Sequence, residues 1–410
     1  MKKLLSLLLV LAMIFAAAGC AAGTDTPDTN TPAKTNAGTE QSAAPADPAE
    51  KVIPDVIKIG MVGTISGEQA VDGQNMSDAI TLVKEELDAQ GGLDVDGKKV
   101  QVEFIIEDTE AKPEIACNAV QKLIEQDGVL AILGPNNSSD ILACGEIANA
   151  AQVPEISNTA TNIKVTQVGD YIFRSCFIDP FQGKVVAKFA WEDLGAKTAA
   201  VLYNNADAYS TGLQEAFVEA FKANGGEIVA MEAFAGAEVK DYSAQLTKIQ
   251  NANPDVIFYP SQISMIPLQL QQTRAMGITA QLLGCDSWDY DYMPSLVGED
   301  VVEGAYYVTG FSPDADTAKE FVDAFNTRFG YRPSFCSAMM YEAAHILLNA
   351  IQNAATIDGP GVRDAIAATD MDLPSGHVVF DENRNPIKSG TVLQVVGGQR
   401  VFVKSIAIDN

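Results

Sequence analysis

The chain has 410 residues and a formal net charge of −27, because its 54 acidic residues outnumber its 27 basic ones. This acidic balance argues against nucleic acid or an anionic lipid surface as a partner and favours solubility. The cysteines show no CxxC or zinc-like spacing and no cofactor-binding motif is present, so we expect neither a metal site nor a cofactor.

The amino end has the order of a secretory signal. Met1 is followed by two lysines, an apolar run and a stretch of small residues before Cys20. The apolar run is shorter than the roughly 20 residues of a membrane-spanning helix, so residues 1–19 are predicted to be a removed signal peptide. Residues 17–20, Ala-Ala-Gly-Cys, resemble a bacterial lipobox, which implies that Cys20 is lipidated. The alternative is a secreted protein without a lipid.

A polar stretch follows the signal. Residues 21–52 are rich in Thr, Pro, Ala, Asn, Asp and Gly and contain almost no large apolar side chain. Such a segment cannot offset the entropy of ordering, so residues 20–54 are predicted to be the lipidated cysteine and a disordered tether. The remainder, residues 55–410, is long enough for two lobes with separate cores.

Strand-like and helix-like runs alternate along the globular part. Residues 56–62 predict a buried strand, and the apolar residues of the next segment lie at helical spacing until Gly91 and Gly92. Further strands are predicted at residues 100–106, 129–133, 199–203, 228–231 and 255–259. Glycine pairs end a helix at matching points of the two halves, 91–92 and 225–226. The pattern predicts an α/β fold of two similar, Rossmann-like lobes with parallel-rich sheets.

Two polar loops follow predicted strands of the first half. Residues 134–140 read GPNNSSD and precede a helix, and residues 156–162 read ISNTATN. Ligands of parallel α/β sheets bind where such loops meet, and a helix start with the Ser138 hydroxyl suits a carboxylate. The alternatives are that Asn and Ser only cap the helix and that the second loop is a solvated turn.

Two loops of the second half complete the predicted site. Residues 204–209 end in Tyr209, whose ring can cover an aliphatic stem, and residues 284–289 contain Asp286. An ammonium group in a closing cleft needs such a carboxylate, because an unpaired buried charge costs several kcal/mol. The alternative is that Asp286 caps the next helix.

The sequence contains no catalytic constellation. His345 falls in a predicted helix and His377 in a strand-like segment, so neither lies in the four loops. Residues 60–63 do not form the dinucleotide fingerprint, and no phosphate-binding loop or nucleophile elbow is present. We therefore predict that the protein is not an enzyme and has no catalytic residues.

Five cysteines besides Cys20 remain, at positions 117, 144, 176, 285 and 336. An odd number outside the cell leaves at least one thiol unpaired, and an anaerobic source could leave all of them reduced. Cys117 with Cys144 is the first disulfide pair to test.

With these loops in view, residues 55–410 resemble the Leu/Ile/Val-binding protein family, the type I periplasmic binding proteins that feed branched-chain amino acid ABC importers. The resemblance rests on short motifs in family order, among them Ile57-Lys58-Ile59-Gly60, Gly134-Pro135, Phe173-Arg174, Asp241-Tyr242-Ser243 and Phe380-Asp381-Glu382-Asn383. It implies two lobes joined by a three-stranded hinge. The first lobe is predicted at residues 55–176 plus 309–386 and the second at 177–308 plus 387–410.

The resemblance also implies roles for the loop residues. Ser138 and the loop 159–161 would hold the ligand carboxylate and share in the ammonium, Tyr209 would close from the second lobe, and Asp286, where the family often has Glu, would pair with the ammonium. The full predicted set is Asn137, Ser138, Thr159, Ala160, Thr161, Tyr209, Gln262, Asp286 and Trp288.

Two positions depart from the branched-chain pattern. Asp72 and Gln262 stand where the family has aromatic residues. This loss of apolar lining favours a smaller or more polar amino acid, while Trp288 would restore some apolar cover.

The expected function is therefore that of a monomeric extracytoplasmic lipoprotein, anchored in the cell membrane through Cys20. It would capture an amino acid, branched-chain or aliphatic by preference, and deliver it to the permease subunits of an ABC importer. One alternative is an extracellular sensor domain. Another is a binding protein for a urea, an amide or an aromatic acid.

Overall fold

The structure is a computed structural model that describes residues 51–407. The predicted signal peptide, Cys20 and most of the predicted tether therefore lie outside the described residues. Within residues 51–407, no helix combines the length and the apolarity that a bilayer crossing requires. In the same range, no group of three or more His, Cys, Asp or Glu side chains is placed to hold a metal ion.

The first sheet has six strands in the order β2-β3-β1-β4-β5-β6. All neighbours are parallel except β2, which pairs with β3 in the antiparallel sense. Its strands are β1 (Val56–Gly63), β2 (Leu93–Val95), β3 (Lys98–Asp108), β4 (Ala131–Leu133), β5 (Glu155–Ser157) and β6 (Ile172–Arg174).

The second sheet has seven strands in the order β15-β14-β11-β10-β9-β7-β8. The strands β11, β10, β9, β7 and β8 are parallel to one another. At the other edge, β14 is antiparallel to β11, and β15 is antiparallel to β14. In chain order the remaining strands are β7 (Thr198–Asn204), β8 (Glu227–Phe234), β9 (Val256–Phe258), β10 (Gln281–Gly284), β11 (Tyr306–Thr309), a separate hairpin of β12 (Asp370–Leu373) and β13 (Gly376–Val379), β14 (Gly390–Val396) and β15 (Gln399–Ile406).

Helices cover the two sheets. They are α1 (Ala70–Ala89), α2 (Pro113–Lys122), α3 (Ser138–Ala150), α4 (Asp179–Glu192), α5 (Ala208–Ala223), α6 (Ser243–Ala252), α7 (Ile266–Ala275), α8 (Met293–Val297), α9 (Glu299–Val302), α10 (Lys319–Phe329), α11 (Phe335–Asn353) and α12 (Gly359–Ala367). The first sheet with α1–α3 and α10–α12 is called the first lobe below, and the second sheet with α4–α9 the second lobe.

The chain passes between the lobes three times. After β6 it enters α4, which packs on α5 and β11; after β11 it returns to α10 and α11, which pack on α1; and after β13 it enters β14. The two parallel-rich sheets confirm the predicted α/β fold. The exact lobe boundaries stay a prediction, because residues at the crossings contact both lobes. Phe177, for example, stacks on Phe335 of α11 and packs against Phe181 of α4.

The central strand β1 shows why a parallel sheet forms here. Five successive residues from Ile59 to Gly63 are buried on alternating faces, as expected for a strand covered by helices on both sides. On one face, Met76 and Val83 of α1 pack into the same core as Ile59. This core orients the start of α1 relative to the end of β1.

The five cysteines of the described residues are all reduced thiols. Cys117 lies in α2, and Cys144 is buried in α3 beside Glu155, its sulfur 3.9 Å from a carboxylate oxygen. Cys117 and Cys144, the pair to test first, are therefore not joined by a disulfide in this structure.

A buried ion pair joins the last strand to a loop of the second lobe. Arg400 of β15 donates to Asp289 at 2.5 Å and to Asp291 at 2.7 Å. Asp289 also accepts the backbone N–H of Phe335, the first residue of α11, at 3.0 Å. The loop after β10 is thus held from two sides, by β15 and by a helix of the first lobe.

We expect Arg400→Met to lower the free energy of unfolding by about 3–5 kcal/mol, because it leaves the buried Asp289 without a countercharge. The matched control is Lys404→Met on the same strand, where Lys404 pairs with the partly exposed Asp193 at 2.9 Å. That change should cost less than about 1 kcal/mol. Denaturant unfolding measures both, and adding Asp289→Asn to Arg400→Met should restore part of the loss. Equal losses for the two single variants would contradict the buried-pair interpretation.

Candidate functional site

A cavity lies between the lobes, where the carboxyl ends of six parallel strands meet. It is small, with a volume of about 30 Å³, well below the roughly 300–1,000 Å³ typical of small-molecule sites. The loops after β1, β4, β5, β7, β9 and β10 line it together with the start of α11. The lining residues are Asp72, Asn136, Asn137, Ser138, Thr159, Tyr209, Gln262, Asp286, Ser287, Tyr290, Phe335 and Cys336.

One side of the cavity suits an anion. Ser138 is the first residue of α3, and its hydroxyl oxygen accepts the backbone N–H of Asn162 at 3.3 Å, so its own proton can be donated to a ligand. The first backbone N–H groups of a helix have no intrahelical partner and carry partial positive charge. Asn137 occupies the N-cap position without a side-chain capping bond. This end of the cavity therefore offers donors to a carboxylate.

The opposite side carries a buried acid. Asp286 follows β10, and its Oδ1 accepts the Tyr209 hydroxyl at 2.6 Å and the Gln182 amide at 2.8 Å. Both bonds end on Oδ1, which leaves Oδ2 without a side-chain donor within residues 51–407. Burial raises the pKa of Asp286 to about 6, and the bonds from Tyr209 and Gln182 oppose this rise. The group is thus an acceptor that still lacks a cation.

A second buried acid lines the same cavity. Asp72, in the first turn of α1, accepts the hydroxyl of Tyr290 from the second lobe. Burial raises the pKa of Asp72 to about 6, the bond from Tyr290 lowers it, and repulsion from Asp286 adds to the rise. Gly73 allows this position, because a Cβ there would lie 2.3 Å from the carbonyl oxygen of Thr64. The start of α1 therefore packs directly on the end of β1.

Further hydrogen bonds connect the lobes around the cavity. The Ser139 hydroxyl of α3 donates to Asp207 at 3.1 Å and accepts the backbone N–H of Ala208 at 3.1 Å. The Asn162 amide donates to the carbonyl of Ala208 at 2.8 Å. Gln262 reaches Asp207 at 3.4 Å from within the second lobe. The lobes are therefore held in a closed arrangement at the start of α5.

Six of the nine predicted ligand residues line the cavity: Asn137, Ser138, Thr159, Tyr209, Gln262 and Asp286. The Thr159 hydroxyl donates to the carbonyl of Asn136 at 3.1 Å, so in this structure it can only accept from a ligand. The expected hydroxyl-rich anion site thus rests on Ser138 and the start of α3.

Three predicted residues do not line the cavity. The carbonyl of Ala160 accepts from the buried Arg174 at 2.7 Å, and this bond holds the segment against the first lobe. Thr161 is buried beside Asp179. Trp288 follows β10 and is fully buried, with its ring packed against Gly284 at the end of that strand. A Cβ at position 284 would lie 2.2 Å from the indole, so the glycine is what makes room for the ring. Trp288 is thus packed into the second lobe in this structure, and its predicted role as cover for the ligand stays a prediction.

The sequence did not predict six of the lining residues. Asp72 drew notice only as a departure from the family, and Asn136 and Ser287 adjoin residues that were predicted. Tyr290 and the start of α11, Phe335 and Cys336, reach the cavity only through tertiary packing. No local pattern marks the latter three.

A larger depression of about 960 Å³ lies between α4, α5 and the loops after β5 and β7. Its lining includes Lys184, Lys188, Glu215 and Glu219 on the two helices, a mixture of charges typical of solvated helix faces. Two strand-end loops reach this depression, whereas six converge on the smaller interlobe cavity, which is therefore the candidate site.

Comparisons with known proteins identify the family of this chain. The periplasmic binding protein family matches residues 56–399. A leucine-, isoleucine-, valine-, threonine- and alanine-binding protein of Pseudomonas aeruginosa is 26% identical over 331 residues, covering 80% of this chain and 86% of the relative.

Two solved structures share the fold over nearly their whole length. The branched-chain amino acid transporter substrate-binding protein LivJ of Streptococcus pneumoniae, in complex with isoleucine, has a TM-score of 0.78 and 30% identity, covering 85% of this chain and 99% of that one. An ABC transporter solute-binding protein of Rhodopseudomonas palustris, in complex with 3,4-dihydroxybenzoic acid, has a TM-score of 0.77 and 26% identity, covering 86% and 98%. The chain belongs to the periplasmic binding protein family, in the Leu/Ile/Val-binding group with the type I fold.

Proposed function

We propose that this protein captures an α-amino acid in the interlobe cavity and delivers it to the permease subunits of an ABC importer. The observation that carries the proposal is Asp286, a buried carboxylate that lines the cavity and whose Oδ2 has no side-chain donor among residues 51–407. The names of the relatives, which bind leucine, isoleucine and other amino acids, support the same ligand class.

The two ends of the cavity match the two charges of an amino acid. An ammonium group gives Asp286 the countercharge that burial demands, because an unpaired charge away from water costs several kcal/mol. The ligand carboxylate then lies against the Ser138 hydroxyl and the start of α3, where donors and the helix dipole favour negative charge. A zwitterion therefore satisfies both ends at once.

Closure of the lobes couples binding to delivery. The ligand contacts Ser138 of the first lobe and Asp286 of the second, so both contacts form only when the lobes are closed. A ligand that binds the closed form more tightly shifts the population toward it. Bonds such as Ser139 to Asp207 then complete the surface that a permease meets.

The proposal also covers the cellular location and the oligomeric state of the protein. Residues 1–19 act as an export signal, Cys20 carries the lipid that anchors the protein to the cell membrane, and the protein works as a monomer. Export and lipid anchoring rest on the signal and lipobox patterns of the sequence.

A second candidate ligand is an aromatic acid, as in the Rhodopseudomonas palustris structure with 3,4-dihydroxybenzoic acid. Such a ligand has a carboxylate but no ammonium group. It would leave Asp286 unpaired and bring a further negative charge toward Asp72 and Asp286. The electrostatics of the cavity thus favour the amino acid.

We expect Asp286→Ala to weaken amino acid binding by about 30-fold or more, because it removes a buried partner of the ligand ammonium. Isothermal titration with the twenty common amino acids and with 3,4-dihydroxybenzoate measures this. Asp193→Asn, at the partly exposed Asp193 far from the cavity, is the control and should bind like the parent protein. Binding of the aromatic acid alone, or amino acid binding unchanged in Asp286→Ala, would refute the proposal.

Affinity should be constant from about pH 7 up to the pH at which the ligand ammonium begins to lose its proton. It should fall as the pH drops through about 6, because a protonated Asp286 cannot pair with an ammonium group. Tyr209→Phe removes a donor to the ionised carboxylate, so it should raise the pKa of Asp286 and move the fall in affinity to higher pH. Tyr203→Phe on β7, outside the cavity, is the control.

Titrations at several pH values test this expectation. Asp72 has a pKa in the same range, so the series is repeated in an Asp72→Asn background. If affinity falls at the same pH in Tyr209→Phe as in the parent protein, the ionisation of Asp286 does not govern binding.

A further inference from the structure

The cavity differs from an aliphatic pocket in its lining. Among its twelve lining residues there is no Leu, Ile, Val or Met, and the apolar surface comes from Phe335, Cys336 and the rings of Tyr209 and Tyr290. Apolar side chains line most of a typical small-molecule site, and a few polar groups fix the orientation. Here the polar groups dominate, so apolar area alone cannot account for selectivity.

Asp72 is the charged lining residue that binds neither the α-ammonium nor the α-carboxylate of the proposed amino acid ligand. Its Oδ1 accepts from Tyr290, and Oδ2 has no donor among residues 51–407 although the side chain is only 6% exposed. Asp286 already takes the α-ammonium, and the start of α3 takes the carboxylate. A third, acidic hydrogen-bonding position therefore remains for the ligand side chain.

The charge of the lining residues also indicates a hydrogen-bond donor on the ligand side chain. The lining contains two carboxylates and no Lys, Arg or His. With a zwitterion bound, Asp286 is paired by the ammonium, and Asp72 still lacks a full countercharge in a cavity that closure removes from water. A methyl group beside Asp72 would leave that oxygen unsatisfied, at a cost that a hydrogen-bond donor avoids.

We propose that the ligand of this cavity is an amino acid whose short side chain ends in a hydrogen-bond donor, and that Asp72, oriented by Tyr290, binds that donor. The donor is a hydroxyl, a primary amide or an ammonium group. The small volume of the cavity, about 30 Å³, limits the side chain to a few heavy atoms. This inference rests on the proposed function, since it assigns the ligand side chain within the same site.

The experiment compares ligands of equal shape that differ in the donor. Isothermal titration is carried out with threonine against valine, asparagine against leucine, and 2,4-diaminobutyrate against norvaline. At least one donor ligand should bind about tenfold or more tightly than its apolar twin, the effect of one hydrogen bond to a charged group. The pair with the largest ratio identifies the donor as hydroxyl, amide or ammonium.

Variants of α1 test whether Asp72 causes the preference. Asp72→Leu should abolish the ratio and raise the affinity for the apolar twin. Asp78 is the matched control, because it is a buried aspartate of the same helix that accepts a tyrosine hydroxyl, Tyr331 at 2.6 Å, outside the cavity. Asp78→Asn should keep the ratio, and Asp72→Asn, the milder variant for use if Asp72→Leu does not fold, should lower it.

The outcomes separate this inference from the proposed function. Equal affinities within all three pairs, or a ratio that survives the change at Asp72, would overturn the inference while leaving amino acid capture intact. Failure of every amino acid to bind the parent protein would overturn both. A ratio lost in Asp72→Leu but kept in Asp78→Asn supports the inference.

Discussion

The site depends on one electrostatic constraint, which is that two buried aspartates line the same small cavity between the lobes. Asp72 comes from the first lobe and Asp286 from the second, so bringing the lobes together also brings like charges together. Burial opposes their ionisation, and a cation between them would relieve the repulsion. A cationic group on the proposed ligand would therefore stabilise the closed arrangement of the lobes.

The fold explains how residues so distant in the chain meet. Parallel strands place all their carboxyl ends on one edge, so each loop after a strand can contribute one side chain to a common space. Gln182 on α4, next to a crossing between the lobes, donates to Asp286 and to the carbonyl of Val308 in β11. Gln182 thereby links Asp286 to two of the segments that join the lobes. A rotation of the lobes would therefore change the hydrogen bonds around Asp286.

The fold was predictable because alternating strands and helices and paired glycines are local signals, and the loops containing Ser138 and Asp286 were predictable because they follow strands. The contact between Asp72 and Tyr290 was not, since 218 residues separate them and no pattern links them. The packing of the Trp288 ring against Gly284 was not predictable either, because it depends on the space that a residue without a Cβ leaves in the folded protein. Polar residues in the loops after strands indicate where a binding site can form. Tertiary packing decides which side chains reach that site.

The anchoring of the loop after β10 by Arg400 has a consequence for the order of assembly. Asp289, Tyr290 and Asp286 lie in one short segment, and β15, the last strand, supplies the arginine that holds it. A chain that emerges amino end first delivers this arginine more than 100 residues after Asp289, its partner in the loop (|i−j| = 111). A partly emerged chain that lacks β15 thus carries most of both lobes while the loop after β10 still lacks its buried arginine.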